Sequence, residues 1–422
     1  MNIWQKIKLA LNDPDLRKRI LFVLFALVIF RLLASIPIPG VDVIKLKQYL
    51  LGNQFLGLLN IFSGGGLSNL SIIMLGVGPY ITSSIILQVL TIIFPRLKQI
   101  YHEEGEAGKR KFVQYSRILT IPLALVQGFG LLALLSRQGI FTSASVFDQG
   151  LNILIITAGS ILLMWLGELV SIYGIGNGVS IIIFAGIVAA IPQNIGQLIF
   201  TFDPSNIPTY IAALVIGLLV ILGIVLVTEA ERPIPITYAK RVRGMRMYGG
   251  VSTYLPLRIN QAGVMPIIFA LSILLFPQMI GSALSASTNA FLQKVSSVLV
   301  SFSQTNIIYV ILYFILVFLF TYFYTSVTFD PEAISNNLQK SGAFIPGIRP
   351  GESTASYVSK VLNRITFSGG LFLAIVAILP IIMQSVTGIQ TLALGGTALL
   401  IVVSVVLDLV KKVDAQIAMR EY

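Results

Sequence analysis

Long apolar runs separated by short charged segments form the dominant pattern of the chain. A helix that crosses a bilayer needs about 20 apolar residues, and the pattern predicts ten such helices. The fifth, Val179–Ile191, is short enough to indicate a tilted helix or one partly buried in protein. The predicted spans are Ile20–Ile36, Ser71–Phe94, Ser116–Leu135, Leu151–Ser171, Val179–Ile191, Pro208–Thr228, Ile259–Ile280, Thr305–Val327, Ile365–Gln384 and Thr391–Val410. An all-α polytopic membrane protein follows from this pattern.

The longest uncharged run, Gln48–Pro95, contains 48 residues without a charged side chain or histidine, which is too long for one span. Its centre carries three consecutive glycines, Gly64–Gly66, which give the backbone unusual freedom. One interpretation makes Tyr49–Phe62 a span of its own, joined to Ser71–Phe94 by a short surface loop. The other makes the first part re-entrant, so that it enters the membrane and returns on the same side.

The distribution of Lys and Arg favours the re-entrant interpretation, because short cytoplasmic loops carry an excess of these residues. With both termini inside, 24 of the 29 Lys and Arg residues fall in five cytoplasmic segments. The segments are 1–19, Arg96–Arg117, Arg232–Arg258, Lys340–Arg364 and Lys411–Arg420. Only one crossing fits between the outer end of the first span and the second basic segment. The glycine-rich part must then begin and end outside, and its irregular backbone predicts a cavity within the protein in which it lies.

Two of the cytoplasmic segments are long loops, at about 229–258 and about 329–364. Gly and Pro residues mark tight turns in the second loop, and these turns would hold Arg349 at a tip. The charge of both loops is typical of a solvated or headgroup-facing surface. It is also typical of a docking surface for an acidic or RNA-containing partner. The basic cluster of the first loop consists of Lys240, Arg241, Arg243 and Arg246.

Composition agrees with a membrane protein that has little soluble mass. The chain has 422 residues, of which 56% are hydrophobic and 11% charged, and its mean hydropathy is +0.89. The net charge of +12 would point to nucleic acid in a soluble protein, but here it first reflects topology. Cysteine is absent, which excludes disulfides and thiolate metal sites within the chain.

Residues that would serve catalysis are scarce. His102 is the only histidine and lies in a basic loop, so the serine and zinc protease arrangements are not expected. Glu168 and Asp408 each stand alone in their spans, unlike the paired acids of an aspartyl protease or the mid-span charges of an ion-coupled pump. Gly174–Gly178 resembles a phosphate loop but lacks the Lys, so we interpret it as a helix-to-helix turn. We expect no catalytic residue, metal or cofactor, and favour a conduit or insertion device.

Six motifs resemble those of the SecY family, the central subunits of bacterial protein-conducting channels. The resemblance runs from the first span into the C-terminal tail, with the motifs in the family's order. The motifs are Leu59–Gly65, Leu75–Ile81, Trp165–Glu168, Gly174–Gly178, Tyr238–Arg241 and Ser341–Gly351. Membership would make the chain a pore for unfolded polypeptides that also releases transmembrane segments sideways into lipid.

The resemblance also implies an architecture and a set of partners. Ten transmembrane helices would form two inverted five-helix halves, 20–192 and 193–410, between a cytoplasmic segment 1–19 and a cytoplasmic tail 411–422, with a re-entrant plug segment in the first half. The location would be the bacterial cytoplasmic membrane. The implied partners are SecE-like and SecG-like membrane subunits, the SecA motor ATPase, ribosomes, signal peptides and unfolded substrates.

The resemblance implies four groups of site residues, and no periodicity picks out those of the pore ring. The implied pore ring is Val77, Ile81, Val179, Ile183, Val264, Ile268 and Ile401. The implied plug is Asn60, Ile61, Phe62, Ser63, Gly64, Gly65, Gly66, Leu67, Ser68, Asn69 and Leu70. The implied lateral gate, between spans 2 and 7, includes Thr82, Gln88, Asn177, Asn260 and Phe276. The implied motor and ribosome docking residues are Lys240, Arg241, Arg243, Arg246 and Arg349.

Two other functions fit parts of the pattern. In a secondary transporter of a small solute, the spans broken by Gly and Pro would be half-helices that bind the substrate. An intramembrane enzyme is a third alternative, although the residues above do not favour it. Co-purification separates the first two, because a channel of this kind comes with small membrane subunits and binds ribosomes, whereas a transporter comes alone.

Overall fold

The computed structural model describes most of the chain, and the described part is mostly helical. The described residues are 13–39, 60, 63–67, 69–102, 104–137, 145–200, 204, 207–238, 241–243, 246–248, 252–284, 289–300, 307–387 and 390–418. The chain forms two compact units. One comprises Met1–Ala213, Leu271–Val310 and Pro380–Tyr422, and the other Leu214–Ala270 and Ile311–Leu379. The predicted halves, 20–192 and 193–410, stay a prediction.

The described helices follow the apolar runs of the sequence. In chain order they are α1 Pro14–Ser35, α2 Gly78–Ile93, α3 Pro95–His102, α4 Gly105–Arg137, α5 Val146–Tyr173, α6 Gly178–Phe200, α7 Ile207–Glu229, α8 Met265–Leu284, α9 Ala290–Val300, α10 Ile307–Thr328, α11 Pro331–Lys340, α12 Glu352–Thr387 and α13 Gln390–Ala418. Each predicted span overlaps one of these helices. Capping is visible at α1, where the Asp13 carboxylate accepts a hydrogen bond from the Asp15 amide at 3.0 Å and Pro14 occupies the first turn.

Several described helices are long and apolar enough to cross a membrane, which confirms a helical membrane protein. Five meet this description by length and composition. A sixth results if α2 and α3, which meet at a bend of 116°, form one broken span. Two shorter apolar helical stretches, Gly178–Pro192 and Met265–Leu274, fall below the length of a full span. The count of ten transmembrane helices stays a prediction.

The predicted span Ser71–Phe94 is wrong in its first seven residues: Ser71 forms an isolated bridge with Pro37, and residues 72–77 form turns instead of helix. Helix α2 begins only at Gly78, with Pro79 in its first turn. The turns persist because α5 holds them: the Ser160 hydroxyl donates to the Gly76 carbonyl at 2.9 Å. A methyl group on Gly159 would overlap the carbonyl oxygen of Ile72, so α5 contacts this backbone directly.

The first long loop, at about 229–258, contains strands that the sequence did not predict. Strand β1, Glu231–Tyr238, pairs antiparallel with both β4, Ser252–Arg258, and β5, Ala343–Phe344. Strands β2, Arg241–Arg243, and β3, Arg246–Tyr248, form a second antiparallel pair. Along β1, Ile234 and Ile236 are buried and alternate with exposed prolines, which is the period of a strand with one covered face. The sequence did not predict this strand because proline is disfavoured in sheet interiors.

The covered face of this sheet packs on the second long loop and on α12. A cluster within the second unit joins Ile234 and Leu257 of the sheet to Ile345 of the loop and Val358 and Leu362 of α12. These side chains are at most 5% exposed. Strands β1 and β4, the second long loop and α12 therefore form one folded element with a common core.

Candidate functional site

The predicted plug lies in the first unit, between α1 and α2. Its described residues are Asn60, Ser63–Leu67, Asn69 and Leu70, whereas Ile61, Phe62 and Ser68 lie outside the described residues. Residues 63–67, 69 and 70 form turns. Gly64 and Gly65 have φ values of 65° and 85°, a conformation that glycine adopts without steric cost. The Ser63 hydroxyl accepts a hydrogen bond from the Leu67 amide at 3.0 Å.

The end of the predicted plug is anchored in the hydrophobic core. Leu67 and Leu70 are fully buried in a cluster that also contains Met74, Leu75 and residues of α4 and α5. The Leu70 carbonyl accepts a hydrogen bond from the Ile38 amide at 2.8 Å, just after α1. Burial of a leucine contributes about 1.5–3 kcal/mol, so displacement of Leu67 and Leu70 from the core would be costly. If the predicted plug moves, we expect the residues before Leu67 to be the part that moves.

Five of the predicted ring residues belong to the first unit. Val77 immediately precedes α2, and the Ile81 amide in the first turn of α2 donates to the Val77 carbonyl at 3.0 Å. Val179 and Ile183 lie at the start of α6, where their i, i+4 spacing places them on one helix face. Ile401 lies on α13. Val77, Ile81, Ile183 and Ile401 are at most 5% exposed, and Val179 is half-buried.

The remaining two ring residues, Val264 and Ile268, belong to the second unit and repeat the same arrangement. They flank the start of α8, and the Ile268 amide donates to the Val264 carbonyl at 3.3 Å. Their exposures are 7% and 2%. Three helices thus begin with a pair of aliphatic residues one turn apart. The convergence of all seven residues on one constriction stays a prediction.

The polar residues predicted for the lateral gate have individual local partners. The Thr82 hydroxyl donates to the Gly78 carbonyl within α2 at 3.0 Å. The Gln88 side-chain nitrogen donates to the Ser84 hydroxyl at 3.3 Å, while its oxygen is buried without a hydrogen-bond partner in the described structure. Asn260 donates to the Gly263 carbonyl at 3.2 Å, and its oxygen is likewise unpartnered there.

The other two residues predicted for the lateral gate are Asn177 and Phe276. Asn177 is exposed and caps α6, because its side-chain oxygen accepts from the amides of Val179 and Ser180 at 3.0 and 3.3 Å. This bond gives Asn177 a structural role, and its part in a gate stays a prediction. The Phe276 side chain lies outside the described residues, although its backbone belongs to α8.

Arg349 lies in the turn that connects β5 to α12, and its side chain is exposed, as the glycines and prolines of this loop predict. Gly347 and Gly351 have φ values of 83° and 102°, so the turn needs glycine at both positions. The Thr354 hydroxyl donates to the Arg349 carbonyl at 2.8 Å, and the Ser335 hydroxyl donates to the Gly351 carbonyl at 2.6 Å. These bonds hold the turn on α11 and α12.

Three of the other predicted docking residues lie on the second strand pair. Arg241 and Arg243 belong to β2 and Arg246 belongs to β3, where Arg243 pairs with Arg246 in the ladder. Lys240 lies outside the described residues, and the side chains of these arginines do as well. The structure therefore brings three of the basic residues onto one short hairpin by their backbones.

An ion pair that the sequence did not reveal links α4 and α5. Arg117 contacts Glu168 through two bonds, Nη2 to Oε2 at 2.7 Å and Nε to Oε1 at 2.8 Å. The Glu168 side chain is only 11% exposed, and such bidentate pairs fix geometry as well as charge. Glu168, alone in its own span, is thus neutralised from a neighbouring helix. Asp408 pairs with Lys412 of the same helix at 2.6 Å.

The glycine-rich stretch Gly174–Gly178 is confirmed as a turn between two helices, α5 and α6. Gly176 has a φ of 87°, and the Gly178 amide donates to the Ser171 hydroxyl at 2.8 Å. A methyl group on Gly178 would overlap the Gly167 carbonyl oxygen, so the two helices meet at backbone distance here. The turn fixes the start of α6, where Val179 and Ile183 lie.

Comparison with solved structures defines the fold as that of a protein-conducting channel. A structure of a protein-conducting channel matches 95% of the chain and 92% of its own length, with a TM-score of 0.62 and 20% identity. A SecY structure, described as one whose plug domain stabilises the closed channel and maintains a membrane seal, matches with a TM-score of 0.66 and 20% identity over the same shares. Canine Sec61 in a ribosome–channel complex matches with a TM-score of 0.56 and 18% identity over the same shares.

Sequence comparison identifies the family. The SecY family model matches residues 71–410. The protein translocase subunit SecY of Mycobacterium bovis is 42% identical over 98% of this chain and 97% of its own length. The same subunit of Streptomyces coelicolor is 42% identical over the same shares. The chain therefore belongs to the SecY family, as its six motifs predicted.

Proposed function

We propose that the chain is the central subunit of a channel that passes unfolded secretory polypeptides across the membrane and releases transmembrane segments sideways into lipid. The observation that carries the proposal is the set of aliphatic pairs at the starts of three helices, all buried except the half-buried Val179, in a chain of the SecY family. Membership in a translocase family argues against the solute-transporter and enzyme alternatives. The channel itself carries out no chemical step.

A ring of aliphatic side chains suits a pore that must pass chains of any sequence and still exclude ions. An ion in a narrow aliphatic constriction loses hydrating water and gains no hydrogen bond in return. The same side chains can move aside for any polypeptide, since apolar contact is not directional. In this proposal Val77, Ile81, Val179, Ile183, Val264, Ile268 and Ile401 form that ring.

The plug supplies a second barrier on the outer side of the ring. Residues 60–66 form its movable part, and the buried Leu67 and Leu70 form its anchor. A substrate that enters the pore displaces residues 60–66, whereas the anchored end keeps them close enough to return. This division assigns the flexible glycines to the part that moves and the leucines to the part that stays.

A sideways exit follows from the chemistry of the substrate. A signal sequence contains an apolar segment of about 7–15 residues, which leaves water most favourably by entering lipid. We assign the exit to a seam between α2 and α8. Gln88 and Asn260, which the resemblance assigns to this gate, each have a buried side-chain oxygen without a hydrogen-bond partner in the described structure, and a buried oxygen is costly to leave unpaired.

The basic loops provide the docking surface for partners on the cytoplasmic side. Arg349 lies exposed on a rigid turn, and the hairpin β2–β3 carries three arginines. Such charges attract the phosphates of ribosomal RNA and the acidic surface of a motor protein. The proposed partners are the ribosome, a SecA-like motor, and SecE-like and SecG-like membrane subunits.

The proposed orientation places both termini in the cytoplasm of a bacterial cell, with the chain in the cytoplasmic membrane. Single-cysteine labelling tests it cleanly, because the chain has no native cysteine. We expect Gln149→Cys and Lys294→Cys to react with a membrane-impermeant maleimide from outside. Lys98→Cys and Arg349→Cys should react only after the membrane is opened. All four positions are exposed, so protection reports on the side of the membrane.

Labelling at position 98 distinguishes the re-entrant interpretation of the glycine-rich run from the interpretation with a separate span. If residues 49–62 crossed the membrane as a span of their own, Lys98 would lie outside. Outside labelling at Lys98 would therefore refute the re-entrant assignment, while labelling only in opened cells supports it. Labelling of all four variants after detergent treatment controls for reactivity.

A further inference from the structure

Two glycines from distant parts of the chain meet where the plug contacts α6. A methyl group on Gly186 of α6 would overlap the Cα of Gly64 and would lie 2.7 Å from the carbonyl carbon of Gly64. Carbon atoms in favourable contact lie about 3.5–4.0 Å apart. The backbone of the plug therefore lies directly on the backbone of α6, and no side chain fits between them.

Gly64 also lies against Phe30 of α1. A methyl group on Gly64 would overlap the end of the Phe30 ring, with other ring atoms at 3.1 and 3.3 Å. Phe30 is fully buried, and Gly64 has a φ of 65°, which disfavours any residue with a side chain. At Gly64 the plug backbone thus lies against both the Phe30 ring and the bare backbone of α6 at Gly186.

Gly186 follows Ile183 by three residues, so the two positions lie on the same face of α6, one turn apart. Ile183 is 1% exposed and belongs to the proposed ring. The contact between the plug and α6 therefore lies one helical turn from the proposed constriction. A displacement of the plug at Gly64 would change the closure of the pore at that level.

We propose that Gly186 is the positioning residue that seats the plug in the closed channel. This inference rests on the proposed function of residues 60–66 as the movable part of the plug. A helix with a bare backbone at position 186 admits the plug to backbone contact, and any side chain there keeps the plug out. Gly186 acts on the closure of the pore through the plug.

Gly186→Ala tests the proposal, with Gly196→Ala of the same helix as its matched control. Nothing lies within 4 Å of a methyl group on Gly196, so both changes raise helix propensity and only one meets the plug. We measure chloride efflux from vesicles that contain the purified channel complex without substrate. Because the methyl group excludes the seated position, we expect Gly186→Ala to raise the efflux by about tenfold or more, and Gly196→Ala to leave it at the wild-type rate.

A second background separates the positioning of the plug from general damage to α6. In a channel that lacks residues 60–66, the opposing backbone is gone, so Gly186→Ala should add nothing to the leak of the deletion. If Gly186→Ala fails to assemble with full-length plug, the deletion should restore assembly for the same reason. The proposal is overturned if Gly186→Ala is as tight as wild type, if it leaks further in the deleted background, or if the deletion does not restore its assembly.

The failure of this inference differs from failure of the proposed function. If Gly186→Ala does not leak but deletion of residues 60–66 causes a strong leak, the plug proposal stands and only the role of Gly186 in positioning the plug is contradicted. A deletion that does not leak would instead contradict the plug itself.

Discussion

Vesicles that contain the channel with Ile81, Ile183, Ile268 and Ile401 all changed to serine, and with residues 60–66 removed, are expected to leak chloride far faster than any other version. The four isoleucines are at most 5% exposed. Serine removes their apolar bulk and supplies hydroxyl groups, so a continuous path of water can persist. Transfer of even a neutral polar group from water to an apolar site costs about 2–7 kcal/mol, and a bare charge costs far more, so removal of this barrier should raise the flux by orders of magnitude.

The order of leakage is the informative result. We expect wild type to be the tightest, the serine variant or the plug deletion alone to be intermediate, and the combination to leak most. Single Ile→Val changes remove one methylene group, about 0.8 kcal/mol of apolar burial, and should leak little. A combined variant as tight as wild type would mean that these side chains are ordinary packing and that the constriction lies at another level.

The second large effect is expected at Arg349. Arg349→Glu should reduce motor-driven secretion by at least about tenfold, because a charge reversal at an interface replaces an attraction by a repulsion of several kcal/mol. The side chain is exposed, and the hydrogen bonds that hold the turn use the Arg349 and Gly351 carbonyls and not the Arg349 guanidinium, so the free energy of unfolding should change by no more than about 0.5 kcal/mol. The measurement is ATP-dependent transport of a secretory precursor into vesicles, with the thermal unfolding of the purified complex followed in parallel.

Lys360→Glu is the matched control for Arg349→Glu. Lys360 is also exposed and follows Arg349 on the same folded element, in α12, and the change in net charge is identical. We expect its secretion to stay near the wild-type rate. Equal secretion by wild type and Arg349→Glu would reduce Arg349 to a solvated loop residue, and an equal defect in both variants would indicate a general effect of charge.

The apolar helices were predictable from the sequence, because the length of an apolar run is set by the membrane itself. The turns before Gly78 were not. Their residues are as apolar as those of α2, and they depart from a helix because α5 holds Gly76 and the backbone near Ile72. Strand β1 escaped prediction for a similar reason, since Pro233 and Pro235 conceal the alternation of Ile234 and Ile236.

The candidate site was predictable only in part. A basic residue at a glycine and proline turn is visible in the sequence, and the structure shows Arg349 exposed on such a turn. The Arg117–Glu168 pair joins residues 51 positions apart, and the Gly64–Gly186 contact joins residues still further apart, so neither could be read from local pattern. The ring residues carry no periodic signal of their own. These residues were assigned to the ring because of the resemblance to the SecY family. Six of them are buried, which agrees with a constriction.

The central claim is that an unfolded polypeptide passes through this chain at the level of the aliphatic ring. A photo-reactive amino acid at position 183, in a channel halted with a secretory precursor partly across the membrane, tests it most directly. The same probe at Leu218, which is 58% exposed on α7, serves as the control. We predict that position 183 forms a covalent adduct with the precursor only when transport has begun, and that position 218 does not. Adducts at position 218 with none at position 183 would contradict the claim, because the polypeptide would then follow a path outside the proposed ring.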